Sequence, residues 1–397
     1  MGQLNRRVLL RQLQKLGVAS RAELAKALGM SQPTAGKIVD ELIAAEVLEE
    51  ADVPEGNGMA ESALRGRPGR KLQLNRSRSP LLAIQLGIQE TTVARLSLGI
   101  PKMDEWHFAF AMKRNEAHPA AAWEKQLRGA AKAIGGRGFF GVLFSVPGIV
   151  DESANRILFS PNIHWTEKAD LARIVRRVWN LPVLLVQEER ALALGHHLAN
   201  PECEDFLLVD FGEGVGGAII MDGRPLANPL PISGEIGHTP VLGNRRQCGC
   251  GAVGCIETLV SLRGLQESLA GVTAGKTKSW PKLCEHVSQK GLEPWLTQSL
   301  DAAAVAIAGA LNVLGLRRVV ITGSLTELPP FVVEYLSRAV QNGSMWAKFG
   351  QVECVAAPRR RVAGLVAMGI DRLIMPDTQP QDEVPNRSAG IFRRTIS

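Results

Sequence analysis

The sequence of 397 residues has no uninterrupted apolar run approaching the roughly 20 residues that a membrane-spanning helix requires. It also lacks the apolar core of a secretory signal, because Arg, Gln and Lys interrupt the apolar residues near its start. Only six cysteines are present, too few for a scaffold held by disulfides. These absences argue against secreted and membrane classes, and they predict a protein of the reducing cytoplasm.

Basic residues are in surplus and unevenly placed. The net charge is +7, from 46 Lys and Arg against 39 Asp and Glu. Residues 1–37 hold seven bases and one acid, residues 38–64 hold eight acids and no base, and residues 65–78 hold six bases and no acid. A uniformly solvated surface mixes its signs, so the pattern indicates a polarised N-terminal module that can accept an anionic partner.

The first 45 residues carry a helical pattern. Apolar residues at three- and four-residue steps predict a first helix that stops at Gly17. Ser20 is suited to cap a second helix, which ends at Gly29. Ser31 is suited to cap a third helix with Pro33 in its first turn. Two short helices around a Gly-containing turn are typical of a helix-turn-helix.

A wing follows these helices. Val47–Glu50 and Lys71–Leu74 predict two paired strands, so residues 1–76 are interpreted as a winged helix-turn-helix that binds double-stranded DNA. A small helical dimerisation or protein-binding domain is the alternative. The residues predicted to meet base edges are Ser31, Gln32, Thr34 and Lys37, and those predicted to reach phosphates or the minor groove are Arg67, Arg70 and Lys71.

After a predicted linker at 75–80, strands alternate with helices, which indicates an α/β fold. Strands are predicted within 81–88, 91–100, 138–151, 181–189, 205–223 and 317–324, and helices at 121–134, 167–179, 189–199, 258–269, 299–314 and 361–374. The α/β body is predicted to span 81–375. The tail 376–397 lacks apolar periodicity and is predicted to be disordered.

One short segment concentrates metal-binding side chains. Cys248, Cys250 and Cys255 lie within eight residues among several glycines, and His238 lies ten residues before the first of them. Three thiolates and one imidazole form a closed tetrahedral set for Zn²⁺ with no position left for water, which is typical of a structural site. The alternative is a Gly-rich loop with incidental free thiols.

The same segment resembles the signature of the ROK family, which groups bacterial sugar-responsive repressors with sugar kinases. The motifs that carry the resemblance are SVPGIVD (145–151), SPNIHW (160–165), FGEGVGGAII (211–220), GEIGHT (234–239), CGCGAVGCIE (248–257) and VVITGS (319–324). The N-terminal winged helix is similar to the repressor branch. The resemblance implies an actin-like, hexokinase-type body with a cleft between two subdomains. The small subdomain would cover about 81–185 plus the C-terminal helix, and the large one about 186–360.

The resemblance also implies a set of sugar-facing residues. A sugar hydroxyl both donates and accepts, so carboxylates and amides that bridge adjacent hydroxyls orient the ligand. His238 is expected to serve twice, as a zinc ligand and as a neighbour of the sugar. The set is Asn162, Gln187, Glu188, Glu235, His238 and Glu257.

Three positions depart from the kinase pattern that the resemblance implies. Gln85 stands where kinases have an Asp that serves Mg²⁺, and Glu213 stands in a glycine turn where kinases favour Thr. Glu188 stands at the catalytic Asp, and its extra methylene displaces the carboxylate. These departures predict that the chain is not an enzyme and has no catalytic residues.

The sequence therefore predicts a transcriptional repressor that binds an operator and responds to a sugar or sugar derivative. Symmetric operators favour a homodimer or a dimer of dimers. The alternative is an ATP-dependent sugar kinase with an extra N-terminal domain. A third possibility is a zinc-stabilised scaffold that binds DNA without an effector.

Overall fold

The computed structural model describes residues 2–51, 70–76, 78, 80–99, 108–111, 117–135, 138–226, 232–273, 275 and 279–374. The described residues up to 76 form a unit that we call the head. Its elements are α1 (Gly2–Leu16), β1 (Ala19–Ser20), α2 (Arg21–Ala27), α3 (Gln32–Ala44), β2 (Leu48–Glu50) and β3 (Lys71–Leu74). The three helices and the β2–β3 pair agree with the predicted pattern, while β1, a third strand paired with β3, was not predicted.

Local capping explains where the head helices begin. The Ser20 side chain accepts a hydrogen bond from the backbone N–H of Glu23, whose carboxylate accepts one from the backbone N–H of Ser20. The Ser31 hydroxyl accepts from the N–H of Thr34, and Pro33 lies in the first turn of α3. These contacts satisfy N–H groups that have no partner within the helix.

The rest of the chain builds two five-stranded sheets with helices around them. Its strands are β4 (Leu81–Leu86), β5 (Glu90–Leu96), β6 (Phe108–Ala111), β7 (Gly141–Val146), β8 (Ile149–Asp151), β9 (Arg156–Phe159), β10 (Val183–Gln187), β11 (Phe206–Phe211), β12 (Val215–Met221), β13 (Arg224–Pro225), β14 (Arg318–Gly323) and β15 (Glu353–Ala356). Its helices are α4 (Pro119–Ile134), α5 (Leu171–Trp179), α6 (Glu188–Ala199), α7 (Glu257–Val260), α8 (Leu262–Val272), α9 (Trp280–Lys290), α10 (Pro294–Leu314), α11 (Pro330–Gly343) and α12 (Arg361–Gly369), with a π-helical turn at Ile370–Ile374.

The two sheets have related orders. The first runs β10-β7-β4-β5-β6, in which β10, β7 and β4 are parallel and β5 is antiparallel to both of its neighbours, β4 and β6. The second runs β13-β12-β11-β14-β15, with β11, β14 and β15 parallel. Ligands of such sheets bind beyond the carboxyl ends of the parallel strands, which places the candidate site after β4, β10 and β11.

Two core helices, α9 and α11, were not predicted. Pro329 and Pro330 together look like a break in the sequence, although proline fits the first turn of a helix and α11 starts there. The helix predicted at 167–179 is two pieces, a 3₁₀ turn at His164–Lys168 and then α5. The proposed start of a helix at 299 was too late, because α10 begins at Pro294.

The head shares a hydrophobic core with the body. Leu9 and Leu13 of α1 belong to the same buried cluster as Leu81 of β4 and Val366 of α12. Asn75, in the predicted linker, is buried, and its backbone bonds to Val47 and Gly99 at 3.0 Å each. The head is therefore packed against the body rather than tethered beside it.

Among the described residues, α10 is long and apolar enough to cross a membrane by length and composition. Half of its most apolar stretch is buried inside the protein. Leu296, Leu300 and Leu311 of this helix lie in the core of the second sheet, and the core helix of a soluble protein passes the same test.

Candidate functional site

A cavity of about 410 Å³ lies between the two sheets. It is lined by the ends of β4, β10 and β11, by the β11–β12 turn and by the first residues of α6 and α7. All six sequence-predicted sugar-facing residues line it: Asn162, Gln187, Glu188, Glu235, His238 and Glu257. Gln85 and Glu213 line it as well, so all three positions that depart from the kinase pattern face the cavity.

Glu257, the first residue of α7, is the buried centre of the predicted sugar-facing set. One carboxylate oxygen accepts from the backbone N–H of Val215 at 2.9 Å. The other lies 3.5 Å from the side-chain amide nitrogen of Asn162 and 3.8 Å from the sulfur of Cys248. The carboxylate and the amide are thus held side by side, in a position to contact neighbouring hydroxyls of one ligand.

The predicted metal ligands come together beside this pair. The ligand atoms of His238, Cys248, Cys250 and Cys255 all lie within 4.8 Å of one another. The Cys250 and Cys255 sulfurs are 3.6 Å apart, and the Cys248 sulfur is 3.6 Å from Nδ1 of His238. A tetrahedral zinc site with Zn–S bonds of about 2.3 Å separates its sulfurs by about 3.8 Å. The donor set therefore fits such a metal.

The chain around these ligands turns tightly. Gly251 and Gly254 both have φ of +92°, a conformation that favours glycine. Gly249 packs on the carbonyl of Pro161 so closely that a Cβ would not fit, and its own carbonyl is 3.0 Å from Nε2 of His164. This segment, residues 238–257, which we call the knuckle, supports the loop that carries Asn162.

Burial shapes the protonation of the knuckle and the cleft. It raises the pKa of the Cys248 and Cys255 thiols, so that a bound cation is what would favour their thiolate forms. Burial, reinforced by the charge of Glu257, also raises the pKa of Glu235, although His238 opposes this shift. Nε2 of His238 is 3.7 Å from Glu235 while Nδ1 faces Cys248, so the ring joins the knuckle to the cleft.

Two arginines that were not predicted from the sequence as site residues, Arg359 and Arg361, enter the cleft. Arg359 makes a bidentate ion pair with Asp210 at the end of β11, at 2.7 and 2.8 Å, and Thr322 donates to the same carboxylate at 2.7 Å. The guanidinium lies against Gly212 and Gly323, where a Cβ would approach it within 2.8 Å. It therefore occupies space beside the glycine turn.

Arg361 contacts two of the three residues that depart from the kinase pattern, Gln85 and Glu188. It donates to the Gln85 side-chain oxygen at 2.9 Å and forms an ion pair with Glu188. The Glu188 carboxylate, 13% exposed, is thereby already neutralised by a protein cation. This ion pair therefore engages the carboxylate that stands at the position of the kinase base.

Other acids in the cleft were only partly anticipated. Burial raises the pKa of Glu213, with a further contribution from Glu90. Burial and the charge of Glu188 raise the pKa of Glu189 well above its usual range, which favours an acid that can donate to a ligand. One Glu189 oxygen is buried without a partner among the described residues.

The two cleft arginines could have been suspected from the sequence, because they belong to a run of three successive arginines, Arg359–Arg361.

The head presents its predicted DNA-facing residues as follows. On α3, Ala35, Ile38, Val39 and Leu42 are buried, whereas Ser31, Gln32, Thr34 and Lys37 are exposed. Arg70 is exposed and Lys71 is half-buried, and both make ion pairs within the head, with Glu50 at 2.8 Å and Glu23 at 2.7 Å respectively. Hydrogen bonding to Lys71 lowers the pKa of Glu23 to about 2. Arg67 lies outside the described residues.

Known proteins resemble both the whole chain and its body. A xylose repressor of Caldicellulosiruptor bescii is 24% identical over 409 residues, covering 94% of this chain and 98% of the repressor. A crystal structure of a ROK family transcriptional regulator, described as a homologue of E. coli Mlc, has a TM-score of 0.72 at 21% identity and covers 93% of this chain and 96% of its own.

A ROK family glucokinase from Streptomyces griseus, solved with glucose and AMPPNP, has a TM-score of 0.57 at 21% identity. It covers 72% of this chain and 97% of its own. At these identities the two structures show the fold, which is the actin-like arrangement expected from the sequence. The sequence model of the ROK family matches residues 114–369. The chain belongs to the ROK family.

Proposed function

We propose that the protein is a DNA-binding transcriptional regulator, a repressor, whose body binds a sugar or sugar derivative without phosphorylating it. The observation that carries this proposal is that one chain holds both elements: a head with an exposed polar face on α3 shares a core with a body whose cleft is lined by Asn162 and Glu257. The exposed polar face of α3 suits base edges in the major groove, and the cleft suits a ligand rich in hydroxyls.

Similarity supports the regulator over the kinase. The xylose repressor and the ROK regulator match nearly the whole chain, head included, whereas the glucokinase matches the body. Inside the cleft, Arg361 neutralises Glu188 and Arg359 neutralises Asp210. Phosphoryl transfer needs free carboxylates for Mg²⁺ and for the proton of the attacking hydroxyl. The kinase alternative keeps a carboxylate, Glu188, at the position of the base, but Arg361 is paired with it.

We assign Zn²⁺ to the knuckle, bound by His238, Cys248, Cys250 and Cys255. Three thiolates and an imidazole are soft and borderline donors that zinc accepts in a closed tetrahedral site. The ion would fix the knuckle, and through it the positions of His238 and Glu257 in the cleft. Its role is structural, because four protein donors leave no open position.

The remaining organisation is proposed on the same basis. The DNA-binding domain would be 1–76, and the body 81–375 would have a small subdomain at about 81–185 plus the C-terminal helix and a large one at about 186–360. A dimer, or a dimer of dimers, would place two heads on a two-fold symmetric operator in the cytoplasm. The predicted disordered tail, 376–397, lies outside the described residues.

The DNA-binding proposal is tested by selecting duplexes from a random library and measuring their affinity for variants of the head. Arg67→Ala with Arg70→Ala should weaken binding to every sequence and lower the slope of log affinity against log salt by about 0.9 for each lost phosphate contact. Gln32→Ala and Thr34→Ala should instead change the preferred sequence, because they remove groups that face base edges.

The matched control for Arg70 is Arg263→Ala, which removes another exposed arginine paired with a glutamate, on α8 in the body. It should leave affinity and salt slope unchanged. An unaltered salt response in the double wing variant would show that the wing does not touch DNA.

Sugar binding gives a second test in the cleft. Asn162→Ala should raise the Kd of a bound sugar about fivefold, because one hydrogen bond contributes about 1 kcal/mol and a tenfold change corresponds to about 1.4 kcal/mol. Calorimetric titration with xylose, glucose and other pentoses and hexoses measures this. Gln289→Ala, exposed on α9 and outside the cleft, is the control. Equal Kd values for Asn162→Ala and the parent would remove Asn162 from the site.

A further inference from the structure

The first residue of α12 reaches into the cleft. Arg361 bonds to Gln85 and pairs with Glu188, and its side chain is 17% exposed, so these contacts are largely shielded from solvent. Glu188 is also one of the residues expected to face the sugar. A ligand that bonds to this carboxylate competes with the guanidinium for it, which makes α12 sensitive to what occupies the cleft.

The other end of the same element is bound to the head. In the π-helical turn that continues α12, Asp371 accepts from Nε of Arg7 at 3.1 Å and from Nη2 of Arg11 at 2.6 Å. Both arginines belong to α1. Arg372, next in sequence, pairs at 2.7 Å with Glu152 of the body.

Close backbone contact makes α12 and α6 a stiff pair. Gly364 of α12 lies against the carbonyl of Ala191, and Gly195 of α6 lies against the carbonyl of Arg360, with no room for a Cβ at either glycine. Helices that approach this closely cannot shift independently. Movement at the start of α6, where Glu188 lies, is therefore shared by α12.

Between α1 and α12 the packing is incomplete. A groove of about 190 Å³, partly open to solvent, is bounded by Leu13 and Gly17 of α1, Leu198 of α6, and Ala363 and Val366 of α12. Because the groove leaves part of this junction without close packing, α12 has room to move against α1 there. The ion pairs of Asp371 with Arg7 and Arg11 still join α12 to α1, so a movement of α12 is transmitted to α1 through them.

We propose that α12 couples the cleft to the head: a ligand that takes Glu188 from Arg361 shifts α12 together with α6, and Asp371 passes the shift to α1. This mechanism rests on the proposed function, since it needs a ligand in the cleft and DNA on the head. It changes DNA affinity only to the extent that the ligand favours one position of α12 over the other.

Arg361→Gln serves as the probe, because it breaks the ion pair without any identified sugar. Hydrogen exchange of the α1 amides and the Kd for a selected duplex should each change by about fivefold or more, the lower range of allosteric coupling. In an Asp371→Asn background, the same substitution should change the Kd by less than about twofold, because the contact that carries the coupling is gone. Arg361→Lys should restore part of the parent behaviour.

Glu267→Gln, which removes an exposed ion pair on α8, is the control and should change neither readout. If Arg361→Gln fails to fold by circular dichroism, Glu188→Gln breaks the same pair from the other side. The coupling is refuted if these variants leave α1 exchange unaltered, or if their effect persists with Asp371→Asn. A parent protein that binds no duplex would refute the proposed function instead, while α1 exchange would still decide the coupling.

Discussion

Cys248→Ser is expected to abolish metal binding and to lower Tm by about 10 °C or more. Loss of one ligand opens the tetrahedral site. Because the site forms only in the folded chain, the free energy of zinc binding adds to the free energy of unfolding, and this contribution is lost with the metal. For a large domain, each 1 kcal/mol lowers Tm by about 2–4 °C, so a loss of several kcal/mol gives this shift. Thermal denaturation and elemental analysis of the purified protein measure both effects, with one zinc per chain expected in the parent.

The effect should extend to the cleft. Cys248 lies 3.8 Å from Glu257, and Gly249 packs against Pro161, next to Asn162. Sugar affinity should therefore fall together with zinc content. Cys284→Ser, at a half-buried cysteine outside the knuckle, is the matched control and should keep the metal. Protein that is purified without zinc and whose Tm is insensitive to chelators would contradict the assignment.

The second large effect concerns phosphoryl transfer. With Mg²⁺-ATP and any sugar that binds, ADP release should be at least about 10³-fold slower than the 1–100 s⁻¹ typical of kinases. A correctly placed general base alone contributes about 10²–10⁴-fold. Here Glu188 is longer than the Asp of the kinase pattern and is paired with Arg361, while Arg359 neutralises Asp210.

A coupled assay for ADP checks this rate, with a ROK glucokinase as positive control. Sugar binding to the same sample must be shown by titration, so that an absence of ADP formation is not caused simply by a failure to bind the sugar. Turnover within tenfold of the glucokinase would establish the chain as an enzyme and return the kinase alternative to first place.

Much of the head could be predicted because its signals are local. Ser20, Ser31 and Pro33 specify helix starts through contacts within three residues, and the wing strands follow from short apolar patterns. The pairing of β1 with β3 could not be predicted. It joins residues about 50 positions apart through a two-residue strand, which leaves no periodicity to detect.

The same distinction between local and long-range contacts separates the site residues that could be predicted from those that could not. Cys248, Cys250 and Cys255 are close in sequence, so their common chemistry could be predicted from spacing. The partnership of Arg361 with Gln85 spans 276 residues and that of Asp371 with Arg7 spans 364. No local pattern encodes such pairs, since they exist only once two sheets and the head have packed together.

One titration decides whether sugar binding regulates DNA binding without phosphoryl transfer. A duplex selected from a random library is bound to the protein in the presence of Mg²⁺-ATP, and sugars are added while DNA anisotropy and ADP are followed together. A bound sugar is expected to change the DNA Kd by about fivefold or more, the usual scale of coupling between sites, with no ADP formed. Brisk ADP formation with no binding of the duplex would contradict this expectation.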